Sequence, residues 1–424
     1  MGINILFIPW RDFNSMKREG FRVREANLLL ELIKNPAINK IICINHSKLP
    51  EYVSKILNFL NIYSQIRYER GVSDNNYFEK EIIISKSFFS TLKQVNTKLF
   101  VLDINYHFPN KGNKLEKILI FKKILEKEIK NALKLLNLNT YLTWCFDLAR
   151  IKIANKLRRQ LLIFDAIDNL LEHNQLSLNY KYFKEMYKYV ERESNIIFTV
   201  SEEIKKRLFP NHRNTYYIPN GINFDLYSKE IFKERPEDLP NNNNPIVGYV
   251  GLMQERIDLD ILLLAVEKNC SIDFVFVGPI LSIGYFDELQ KYKNVFFLGA
   301  KHYDEIPNYI KWFDICIIPH KVNKFTKSMS PLKLYEYLAL KKEVITTPVP
   351  PSNEYKKVIH ITDTAREFSN RIEKCIKNPF EKFKEEDILA IIVDQDWSNR
   401  LEYMFRIIKE YGNIEIVKGK KGYK

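Results

Sequence analysis

Residues 328–345 read "SMSPLKLYEYLALKKEVI". A Ser-Pro pair precedes a run of helix formers, and the run passes within two residues into the β-branched segment "EVITTP" (343–348). Ser330 reads as an N-cap and Pro331 as the first helical residue, where the missing proline N–H costs nothing. The predicted helix spans 331–341. Lys333 falls in its first turn, with Glu336 one turn further along the same face. First-turn amides have no partner inside a helix, and the helix dipole is positive at this end. With Lys333 beside them they make an anion site, and phosphate is the usual occupant. Glu336 suits a sugar diol just beyond the phosphate, the role an acidic residue plays in dinucleotide sites. Phosphate plus ribose describes a nucleotide. The competing reading is a capped surface helix with an i,i+3 Lys–Glu pair.

On either side, short apolar runs alternate with amphipathic stretches. Strands are predicted at 3–8, 41–45, 81–85, 98–104, 140–145, 161–166 and 196–200, with helical patterns such as 22–34 and 114–136 between most of them. The segment "IPNGINFDLYSKEIFKERPEDLPNNNNP" (218–245), with Pro-Asn-Gly and four consecutive Asn, reads as a linker. The alternation then restarts with strands at 246–251, 273–278, 295–299, 315–319, 343–348 and 357–362. Repeated strand-helix-strand means parallel sheets covered by helices, hence an α/β protein of two domains. Their ligand sites are expected at the carboxyl ends of the strands, facing a cleft.

The length of 424 residues suits two such domains, and 46% hydrophobic content supports packed cores over disorder. The net charge of +14 is uneven: residues 1–200 hold 32 Lys+Arg against 20 Asp+Glu, a net +12. That half therefore suits an anionic partner or a solvated basic face, and both readings stay open. Five scattered cysteines without a CxxC pair argue against a disulfide framework or zinc site and fit a reducing cytoplasm. No charged leader precedes a long apolar stretch, and no segment reaches the ~18 apolar residues of a membrane span.

"SPLKLYEYLALKKEVITTPVP" (330–350) resembles the donor-binding stretch of GT-B glycosyltransferases of the bacterial group 1, family 4-like type, which build cell-surface polysaccharides. Further pieces follow in that family's order: "IFDAIDNLLEH" (163–173), "ESNIIFTVSEEIKKRL" (193–208), "IPNGINFDLY" (218–227), "VGYVGLMQERIDLDIL" (247–262) and "VFFLGAKHYDEIPNYI" (295–310). The resemblance covers most of 160–410. It implies an acceptor-binding Rossmann-like domain at 1–220, a linker at 221–245 and a donor-binding Rossmann-like domain at 246–395, with closing helices at 396–424 that return to the first domain.

It also implies roles. Gly251 lets phosphate approach the main chain. Arg256 and Lys333 hold the diphosphate, Ser330 opens the helix, and Glu336 holds the ribose. Gly299 and Tyr303 belong to the base-recognition loop. Many retaining members carry an acid eight residues before Glu336, where this chain has Ser328. The stereochemical course therefore stays open. An inverting transfer needs a general base on the acceptor hydroxyl. Asp168 is the leading candidate, as base or as helix N-cap, with Asp165 and His107 behind it. Arg22, Arg24 and His107 are placed on the acceptor side.

The expected activity is transfer of a sugar (hexosyltransferase type, EC 2.4) from a nucleotide-diphosphate sugar to a hydroxyl of a glycan or polyprenyl-linked acceptor. No cofactor, no metal and no nucleic-acid partner is expected. The "DLD" at 258–260 reads as a helix start instead of a metal motif. The expected location is cytoplasmic and peripheral on the inner membrane face, with the basic helix at 110–136 against anionic headgroups. Two alternatives remain: a nucleotide-sugar epimerase or hydrolase of the same fold, which converts donor without acceptor, and, more distantly, a basic nucleic-acid-binding protein, for which no recognisable module is present.

Overall fold

The computed structural model describes residues 2–45, 78, 81–105, 114–172, 179–228, 234–380 and 383–412. These divide into two units, one built from residues up to Ile218 together with those from Leu401 onward, the other from Pro219–Arg400.

The first unit holds strands β1 (Ile3–Ile8), β2 (Ile38–Asn45), β3 (Ile82–Lys86), β4 (Ser90–Gln94), β5 (Leu99–Ile104), β6 (Leu142–Cys145), β7 (Leu162–Ala166), β8 (Ile196–Thr199) and β9 (Thr215–Tyr217). Their order across the sheet is β3-β4-β5-β2-β1-β6-β7-β8-β9. From β5 to β9 every pairing is parallel, as the alternation predicts. At the other edge, β3–β4 and β4–β5 are antiparallel. Only Ser87–Phe89 separate β3 from β4. A connection that short can turn a hairpin but cannot make a parallel crossover. The helix Lys114–Leu135 appears as expected, and its Leu125, Ile129, Ala132 and Leu133 lie in the sheet's core. That part of its apolar face is therefore committed to protein and unavailable to lipid.

The second unit holds β10 (Ile246–Val250), β11 (Asp273–Val277), β12 (Val295–Phe297), β13 (Ile315–Ile318), β14 (Glu343–Thr346) and β15 (His360–Ile361), ordered β12-β11-β10-β13-β14-β15 and parallel throughout. Strands buried on both faces need apolar side chains at successive positions, and "DFVFV" and "ICII" provide them. One face packs Val250, Val277, Ile318 and Val344 against helices Ile306–Lys311, Leu332–Ala339 and Glu385–Ile392. The other packs Tyr249, Phe276, Ile317 and Ile345 against Leu259–Lys268 and Ala365–Lys377.

The stretch read as a linker is part of this core: Ile222, Tyr227 and Leu239 are buried in it. The second unit accordingly begins at 219 instead of 246. It ends inside the helix Trp397–Gly412, five residues beyond the expected limit at 395. The physical tie is short-range. Trp397 N donates to Ile222 O at 3.0 Å, and Asp396 Oδ2 accepts from Phe224 N at 3.0 Å.

Candidate functional site

In the second unit the strand order reverses between β10 and β13, and open parallel sheets place ligands outside the carboxyl ends of the strands at such a point. Gly251 directly follows β10 and Gly278 directly follows β11, with φ of +134° and +145°. A Cβ on Gly278 would stand 2.0 Å from Gly251 O, so the two turns approach as only glycine permits. Gly278 N in turn donates to Gly299 O at 2.7 Å. Gly299 has φ +72° and open space beside it. Three neighbouring strand ends are thus laced together by main chain.

The helix Leu332–Ala339 points its amino end at these turns. A Cβ on Gly251 would come within 2.9 Å of Lys333 Nζ. Lys333 is 7% exposed and donates to the Tyr249 hydroxyl at 2.7 Å. Burial, followed by the positive charge of Arg256, pushes its pKa well below the usual lysine range, while Glu336 acts in the opposite sense. Glu336 is 6% exposed and faces Tyr227, whose phenol is pushed far up by burial and then by that carboxylate. Tyr303 is buried in the short turn Tyr303–Glu305 and packs edge-on against Tyr227, ring centroids 6.2 Å apart. Gly251, Arg256, Lys333, Glu336 and Tyr303 therefore form one continuous neighbourhood.

Ser330 belongs to it in a different way from the one expected. The N-cap position is Pro331, and no side chain caps the helix. Ser330 Oγ instead accepts from Asn220 N at 3.3 Å, and Ser330 O accepts from Asn220 Nδ2 at 2.7 Å. The hydroxyl is used to hold the Pro-Asn-Gly segment, which leaves the first-turn amides uncovered by any side chain. Nor is the helix a surface element, because every residue from Lys333 to Ala339 is buried. Ser328 is fully buried and donates to Lys324 O at 3.1 Å, so no charge stands at that position. Asp258 accepts from Ile261 N at 3.3 Å and caps its helix, as the structural reading of "DLD" required.

The sequence reading missed His320, which follows Pro319 at the end of β13, across the reversal point from Gly251. It is 1% exposed. Burial, then Lys333 and Arg256, drive its pKa well below the ordinary histidine value, so the ring is neutral. The available signal was position alone: "ICIIPH" ends a buried strand with a polar aromatic.

In the first unit the order reverses between β1 and β6. A cavity of about 90 Å³ opens there, lined by Trp10, Phe146, Phe164, Ile167, Asp168 and Tyr187 among others. Asp168 sits in a turn after β7, not at a helix start. Its main-chain oxygen accepts from Tyr187 OH at 3.0 Å, and its carboxylate accepts from Asn169 N at 2.8 Å. Asp165 is fully buried and pairs with Arg24 at 3.0 Å. Burial raises its carboxyl pKa, partly offset by Arg24. Arg22 pairs with Glu19 at 3.0 Å. His107 lies outside the described residues.

Among the described residues, Glu343, His360 and Cys375 bring potential metal-ligand atoms within 4.8 Å of one another. Glu343 and His360 open β14 and β15, at the opposite end of the strands from Gly251, and already pair at 2.7 Å, while Cys375 comes from the helix Ala365–Lys377.

Two α/β units, each with a largely parallel sheet whose strand order reverses, are the architecture of the GT-B class. The structure superposes on sucrose-phosphate synthase of Thermosynechococcus elongatus with a TM-score of 0.65 at 14% identity, covering 97% of this chain and 99% of that one. Anabaena HepE in complex with UDP gives 0.58 at 15% identity, covering 97% and 100%. Residues 244–378 match the model of the family "Glycosyl transferases group 1". A putative teichuronic acid biosynthesis glycosyltransferase of Bacillus subtilis, TuaH, is 27% identical over 222 residues, which is 50% of this chain and 54% of that protein. The chain thus spans about half the length of the curated relative it matches.

Proposed function

We propose that this protein is a glycosyltransferase that moves a sugar from a nucleoside-diphosphate sugar to a hydroxyl of a glycan or polyprenyl-linked acceptor in surface polysaccharide synthesis. The observation that carries this reading is the buried Lys333 and its neighbour Arg256 beside the Gly251 turn, with Glu336 one helical step behind. Two cations and uncovered helix amides suit a diphosphate, and the carboxylate suits the ribose diol. Closing those donors on the leaving diphosphate offsets the charge that develops as the glycosidic bond breaks. Tyr303 and Gly299 are assigned to the base, and Asp168 to proton removal from the acceptor hydroxyl. The family domain at 244–378 and the teichuronic acid relative support the activity and the polysaccharide setting.

The same reading places the enzyme in the cytoplasm, on the inner membrane face through the basic first half, and free of metal. No helix among the described residues is long and apolar enough to cross a membrane. Calorimetric titration of UDP, GDP and dTDP without metal, into wild type and Glu336→Ala, tests the donor site. One nucleotide should bind, and the variant should weaken it about tenfold or more, the loss of a charged hydrogen-bond pair. Equal binding by both proteins removes Glu336 from the site. UDP is the first nucleotide to try because HepE, of the same fold, binds it.

A further inference from the structure

The end of β13 is held rigidly. His320 N donates to Ile318 O at 3.0 Å, its carbonyl accepts from Thr347 Oγ1 at 2.6 Å, and Lys321 N donates to Arg256 O at 2.8 Å. The imidazole is therefore fixed by two flanking loops and stands edge-on to Tyr249, ring centroids 6.3 Å apart. Neither of its ring nitrogens meets a hydrogen-bond partner among the described residues, although both are buried. A neutral imidazole carries one donor and one acceptor, and leaving either unpaired in a dry interior costs free energy. Native structures keep such groups where something else completes them.

The chemistry of the surroundings says what is missing. The groups facing the ring are the Lys333 ammonium from helix Leu332–Ala339, the Arg256 guanidinium from the loop after β10, and the phenol of Tyr249 on β10. Arg256 Nε is itself buried without a partner among the described residues. The neighbouring carboxylate, Glu336, lies a turn further along the helix and acts on Lys333. Donors outnumber acceptors, and positive charge outnumbers negative. The complement is an anion rich in acceptor oxygens.

We propose that His320 is a third ligand group of the donor diphosphate: its ring N–H bonds a phosphate oxygen, and its other nitrogen takes up a proton from solvent as that anion arrives. This rests on the donor-site reading above. Two cations and a dry setting keep the ring neutral before binding, and two phosphate charges reverse that balance. The residue then serves as a positioning group that matches its own charge to the leaving diphosphate.

The test is calorimetry of the nucleoside diphosphate and the matching nucleoside, in two buffers of different ionisation enthalpy at about pH 6 to 7.5, on wild type, His320→Phe and His320→Gln. His320→Phe should lose about tenfold in diphosphate affinity with the nucleoside unchanged, and proton uptake should fall. The ligand-free variant should melt at the same or a higher temperature, since it replaces an unpaired polar ring by an apolar one, whereas a purely structural histidine predicts a lower one. His320→Gln keeps a donor but cannot titrate in this range, so it should recover part of the affinity without the proton uptake. Should the Phe variant fail to fold, the Gln variant alone decides between the two roles. Wild-type affinity and wild-type proton uptake in either variant overturn the proposal while leaving the donor site standing. Absence of diphosphate binding by wild type overturns the donor site, and His320's role with it.

Discussion

Lys333 donates to the Tyr249 hydroxyl at 2.7 Å, and its ammonium stands 4.0 Å from the centroid of the same ring. The pair holds the Lys333 amino group in a site where burial and Arg256 disfavour its charged form. A lysine whose folded pKa lies below its unfolded value binds fewer protons when folded, so stability rises with pH between the two values, up to about pH 10.4. Lys333→Met should therefore flatten the rise in melting temperature expected of wild type as pH climbs toward about 10.4. Parallel melting curves for the two proteins would show that Lys333 keeps its ordinary protonation.

The same substitution should act selectively on ligands. Diphosphate affinity should fall about tenfold or more, as a charged hydrogen bond is lost, while the nucleoside binds as before. A uniform loss across both ligands would place Lys333 elsewhere than on phosphate.

Gly278→Ala should cost ~3 kcal/mol, because the new Cβ would collide with Gly251 O at a φ of +145°. Gly299→Ala meets open space and carries only the left-handed backbone penalty of about 1 kcal/mol. Urea denaturation of the two variants checks the ranking. Equal midpoints would mean that the contact between the two turns relaxes freely.

Asp165 and Asp168, three residues apart, should separate cleanly. Removing Arg24 alone breaks a buried pair and should cost about 3–5 kcal/mol, whereas replacing both partners by apolar residues should cost much less. Asp168→Asn should leave stability nearly unchanged and lower kcat by roughly 10²–10⁴, with donor KM unaffected, if it serves as the base. An active Asp168→Asn enzyme would reassign the base.

Much of this was legible in the sequence because the signals were local. Short apolar runs marked most strands of both sheets, though not the polar edge strand Ser90–Gln94 or the three-residue Thr215–Tyr217, and Pro331 followed by Lys333 and Glu336 marked the helix. What was not legible depended on partners distant in sequence. Ser330 has the composition of a cap, but Asn220, 110 residues earlier, claims its hydroxyl. Residues 221–245 are polar on average, yet Ile222, Tyr227 and Leu239 are enough to fasten them to the core. Arg24 reads as a free cation until Asp165, 141 residues later, is brought against it. His320 carries no motif at all, and only its unpaired nitrogens single it out.

The helix carrying Lys333 and Glu336 is buried along nearly its whole length. Its side chains are therefore answerable to folding as well as to any ligand, and random mutagenesis there will mostly return protein that fails to accumulate. Variation that retunes what is bound while sparing solubility has to come from the exposed connections at the strand ends. The one around Ile283, 98% exposed, is the natural place to start a library.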